Sequence, residues 1–267
     1  MTYLILFLSV AVGAVAVWLF QPRERRSIKL LTAFSGAYLL AVTVLHLLPE
    51  AFREPKTSVG FFVLGGFFLQ ILLDYFSQGI EHGHAHLPSH THDHDHSHDA
   101  GHDPDHGHGA CVNQPVPWGM MIGLCVHAFI EGMPLGGHAG HDHAGHVGHD
   151  HGHGHAQTAL LWGIVVHNIP ISIVLLTLLL QSLGQRGKAF GLLFIFALMS
   201  PLGALTSSIA EPLAHYHAQL TGMVIGIFLH VSTTILFETG EGHRFNLYKA
   251  AAILAGLAVA LISGTFH

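Results

Sequence analysis

Cysteine is scarce in this chain, with only Cys111 and Cys125 among 267 residues. That excludes a disulfide framework as the source of its stability. Charge is scarce as well, since Asp, Glu, Lys and Arg make up 10% of the residues and hydrophobic types 50%. Soluble domains carry about 25% charged residues, so a water-exposed globular surface is excluded. A mean hydropathy of +0.49 agrees. With a formal net charge of −6, no nucleic-acid partner is expected. The partner that this composition calls for is a lipid bilayer.

What the chain has in quantity is long apolar runs. About 20 apolar residues cross a roughly 30 Å hydrocarbon layer as helix. Eight such runs lie near residues 2–20, 30–52, 58–80, 117–137, 157–181, 188–210, 217–238 and 247–265. They are too long and too continuously apolar for barrel strands, which alternate over about ten residues. Since lipid offers no partner for open backbone groups, the expected fold is an all-α membrane protein, a bundle of eight transmembrane helices. The first run lacks a preceding positive residue and a small-x-small cleavage pattern, so it reads as a retained helix.

Lys and Arg set the orientation. Arg23, Arg25, Arg26, Lys29, Arg186, Lys188, Arg244 and Lys249 fall on one side, and only Arg53 and Lys56 on the other. The richer side is read as cytoplasmic, which places both termini outside, in a plasma or inner membrane.

Two segments interrupt the apolar pattern, and both are filled with histidine. Residues 82–110 contain eleven of the 27 histidines and residues 138–156 contain eight. Gly, Asp and His without apolar residues cannot bury a core, so both read as flexible loops, the first cytoplasmic and the second external. His92, His94, His96, His98, His149, His151, His153 and His155 are the residues best spaced to capture metal. Imidazole suits several divalent transition metals, so these tracts do not choose among them.

The sharper signal is inside the spans, where ionisable side chains are costly and mark ion paths. In the fourth span, His127 and Glu131 stand four residues apart, on one helix face, and can close on one ion. Gly132 permits a neighbouring helix to come close, and Pro134 should kink the helix just beyond. Cys125 is about 200° around the helix from His127 and faces away. The fifth span carries His167, Asn168 and Pro170. Asn168, rotated about 100° from His167, could join the same ion or hydrogen-bond another helix. His46 and Glu50, again four apart, could receive metal at the outer end of the second span or serve as a helix-end cap. His230 in the seventh could add a ligand or bond a neighbouring helix.

This arrangement resembles the ZIP family of divalent metal transporters over essentially the whole chain. The resemblance rests on His46-Leu-Leu-Pro49-Glu50, His127-x-x-x-Glu131-Gly132 and His167-x-Ile169-Pro170, in that order, with a His-rich loop between spans three and four. It implies a metal site between spans four and five and movement of metal into the cytoplasm. It also implies eight helices and outside termini. The chain departs from the family where Ala128, Ile171 and the acid-free stretch Leu198–Leu202 replace residues that build a second metal centre. A single site of His127, Glu131 and His167 is therefore expected. One carboxylate against a divalent ion leaves net positive charge, so binding should be weak enough for release.

The expectation is thus one transmembrane transporter domain over 1–267, with zinc foremost among divalent transition metals as substrate. No organic cofactor and no enzymatic activity are expected. Three ligands and an open position also describe a catalytic zinc, so an intramembrane zinc-dependent hydrolase is the alternative. It would need a general base, and Glu131 is already used as a ligand. A cation-diffusion exporter is a second alternative, opposed by eight spans and by the lack of a C-terminal soluble domain. Gly65-Gly66 and the small residues of the last span could support a homodimer contact.

Overall fold

The computed structural model describes residues 1–20, 25–53, 58–77, 118–136, 153–210, 216–237 and 243–265. The described residues are helical throughout apart from short turns. Helix α1 is Thr2–Phe20, α2 is Arg25–Val42, α3 is Leu48–Ala51, α4 is Val59–Ser77 and α5 is Trp118–Gly132. After them come α6, His153–Leu183, α7, Arg186–Ile209, α8, His217–Phe237, and α9, His243–Thr265. A π-turn, Thr43–Leu47, joins α2 to α3, so that Arg26–Ala51 forms one apolar span.

Seven spans among the described residues are long and apolar enough to cross a membrane. In α9 the apolar stretch is shorter, Leu247–Ser263. Two helices begin earlier than hydropathy suggests. Helix α2 starts at Arg25 rather than near residue 30, since Arg and Lys are good helix formers. Helix α6 starts at His153, inside the segment assigned to the loop 138–156. A helix already nucleated by the apolar run downstream extends through residues of moderate propensity.

The helices form two groups. Helix α1 packs on α6 and α7, and α5 packs on α7; α4 packs on α8, and α2 packs on α8 and α9. Each group has a buried apolar centre, around Leu124, Leu176 and Phe196 in the first and around Leu39, Ile225 and Phe228 in the second. The seam between them runs where α2 meets α6 and α4 meets α5. Helix α4 turns Phe61, Leu64, Phe68 and Tyr75 outward, a face suited to lipid and unsuited to water.

Glycine sets the spacing of α5 and α7. A Cβ on Gly132 would overlap the carbonyl oxygen of Ser200, and one on Gly203 would overlap that of Phe129. The two backbones therefore touch directly beside Glu131, as small residues allow in membrane bundles. Helix α5 then stops instead of kinking. Met133–Leu135 form a 3-10 turn containing Pro134, because proline brings no N–H to continue the α ladder. That turn is held by the Ser207 hydroxyl, which donates to the Met133 carbonyl at 2.5 Å. It is also met by the His217 ring, whose Nε2 lies 3.0 Å from the Pro134 carbonyl oxygen.

Candidate metal centre

Where α5 faces α6, the chain buries three ionisable side chains together. His127 and His167 are each 1% exposed and Glu131 is 0% exposed. One ligand atom from each can be chosen so that all three lie within 4.8 Å of one another. The ligand atoms of a tetrahedral zinc, with bonds of about 2.0–2.1 Å, lie roughly 3.3 Å apart, so only a small inward adjustment would seat an ion. Spacing explains half of the cluster, as one helical turn aligns His127 and Glu131. Packing of α6 on the same group supplies His167, whose ring centroid is 6.2 Å from that of His127 at an interplanar angle of 67°.

The electrostatics of this group are unusual for a resting core. Neither carboxylate oxygen of Glu131 makes a hydrogen bond, and neither ring nitrogen of His167 does. Buried carboxylates are normally hydrogen-bonded, paired or bound to a cation, because leaving them bare costs several kcal/mol. Glu131 Oε1 does lie 2.7 Å from His127 Nε2, close enough for an ion pair although not aligned as a hydrogen bond. The other face of the His127 ring is occupied. Its Nδ1 is 2.8 Å from Gln70 Oε1 on α4, and an amide oxygen only accepts, so Nδ1 carries the proton. A neutral ring held this way would turn its Nε2 lone pair toward a carboxylate oxygen. Two electron-rich atoms at that distance repel unless a cation lies between them.

The remaining sequence candidates are distributed around this centre. Asn168 is buried, its Nδ2 donating at 3.4 Å to the Ser9 hydroxyl on α1 while its Oδ1 has no hydrogen bond. Its amide is thus directed to a neighbouring helix. His230 is outside the three-residue group, with its ring edge-to-face against Phe67 at 5.1 Å. His46 lies in the π-turn, partly buried, and Glu50 pairs with Arg53 at 3.1 Å. His92, His94, His96, His98, His149 and His151 lie outside the described residues, and for His153 and His155 only helical backbone is described. Sequence patterns alone did not single out Gln70. Its signal was there, as the only polar side chain between Val59 and Leu73.

Such a set of two imidazoles and one carboxylate, closed off from water and crowded in lone pairs, is suited to a divalent transition metal. A family model described as ZIP Zinc transporter matches residues 1–264 of the chain. No curated protein matches it.

Proposed function

The chain belongs to the ZIP zinc transporter family, and we propose that it brings a divalent transition metal, zinc foremost, into the cytoplasm through His127, Glu131 and His167. It is a multi-pass membrane protein that transports divalent metal, and the metal is its substrate. The observation that carries the assignment of the site is the fully buried carboxylate of Glu131 beside two imidazoles, with Oε1 2.7 Å from His127 Nε2 and neither oxygen hydrogen-bonded. An ion pair with His127 alone leaves Glu131 Oε2 without a hydrogen bond, and a cation would satisfy it. Members of this family are transporters rather than enzymes, which weighs against the hydrolase alternative.

In the proposed path both termini are outside and α9 crosses as the eighth span, its apolar stretch being near the lower end of the roughly 17–25 residues that suffice. Metal arrives at the outer ends of α2 and α5, helped by His46 and Glu50 and by the histidines of 138–156. It exchanges water for the three ligands. Rearrangement along the seam between the two helix groups then opens the centre inward, where the histidines of 82–110 receive the ion. One carboxylate under a divalent charge keeps binding weak enough for release.

Zinc accumulation in cells expressing the chain tests direction. Cell zinc should rise above that of control cells, and His127→Ala should return it to the control level. A fall below control would instead assign export.

A further inference from the structure

Gln70 is the one polar side chain in the middle of α4, a helix that otherwise gives most of its surface to lipid, and it is 1% exposed. An amide in that position is costly unless it is bonded. Its Oε1 accepts from His127 Nδ1 at 2.8 Å, on the side of the ring opposite Glu131. The geometry points to Gln70 as a positioning residue: it fixes the His127 tautomer with the proton on Nδ1, so that Nε2 presents its lone pair to the metal. This rests on the reading of His127 as a ligand.

The two ring nitrogens supply the chemistry. A neutral imidazole carries one proton, and without an acceptor at Nδ1 the proton can move to Nε2, where Glu131 Oε1 waits 2.7 Å away. That tautomer offers the metal no lone pair at the site. An acceptor behind Nδ1 prevents the exchange, orients the ring and raises the basicity of Nε2. The bond also crosses the seam, from α4 in one helix group to α5 in the other. Ligand orientation therefore depends on how the two groups are set against each other.

The test uses the full-length purified protein, with Co²⁺ titrated and followed by its visible absorption. The quantity read is the spectral component that His127→Ala removes, which separates this centre from the histidine tracts. Gln70→Leu keeps the volume and removes the acceptor, and it should weaken that component about 10–100-fold. Gln70→Glu restores an acceptor and should recover affinity to within about threefold of wild type, a recovery that a merely structural loss would not show. Unchanged affinity in Gln70→Leu, or an equal loss in both variants with normal size-exclusion profiles, would overturn the assignment. A wild-type protein lacking any His127-dependent component would bring down the ligand reading itself, an outcome distinct from the other two.

Discussion

His127 Nε2 and Glu131 Oε1 lie 2.7 Å apart in a centre closed to solvent, while the far nitrogen of the same ring donates to Gln70. The two atoms are close without being aligned as a hydrogen bond, and a cation placed between them would relieve the contact. An ion seated there would draw on both the carboxylate and the ring.

Glu131→Gln keeps the shape of the side chain and removes its charge. Loss of one charged partner at a buried site costs about 3–5 kcal/mol, or roughly two to four orders of magnitude in Kd. Zinc affinity of the His127-dependent site, measured by competition with a chelator of known strength, should fall by that much while the protein still elutes as a folded species.

Gly132→Ala and Gly203→Ala should each destabilise the protein by about 1–3 kcal/mol, because the added methyl meets backbone that cannot turn aside. Gly65→Ala is the control, as nothing lies within 4 Å of a Cβ there. Thermal unfolding in detergent should show lower transition temperatures for the first two and no fall for the third.

Protons compete with metal for the imidazoles, since only the neutral ring binds. Uptake should fall as external pH drops below neutral, because protons take the imidazole lone pairs that metal needs. Initial rates between pH 7.5 and 5 at fixed zinc would show it; a steady rise over that interval would contradict the ligand set.

If residues 138–152 gather external metal, removing them should raise KM for zinc several-fold and leave the maximal rate nearly unchanged. Flux measured from micromolar to millimolar zinc separates the two parameters. A fall in maximal rate with constant KM would show that the segment serves folding or gating.

Periodicity and spacing made the three-residue cluster legible. One turn of helix ties His127 to Glu131 in any helical fold, and the cost of charge in lipid marks them and His167 as partners. Gln70 was not legible as a partner because nothing in a single helix says which residue of a distant span it will meet. The packing of α4 against α5 decides that. The same holds for Gly203, a small residue among many until Phe129 lies against it. The π-turn at Thr43–Leu47 was hidden for a different reason. Pro49 has no N–H and its ring crowds the carbonyl four residues back, so the preceding turn widens, and Leu48 N–H bonds the Thr43 carbonyl instead. Hydropathy sees only that the run is apolar. Helix ends outrun the apolar pattern where charged or histidine-rich residues continue a helix already formed, as at Arg25 and His153.

The most direct test is zinc flux into proteoliposomes containing only the purified protein, with an internal fluorescent indicator, comparing wild type with His127→Ala and Glu131→Ala. Wild type should load the vesicles above protein-free controls, and both variants should lose nearly all of that flux while reconstituting equally well. Flux in both variants equal to wild type would contradict the claim that metal passes through the centre these two residues form.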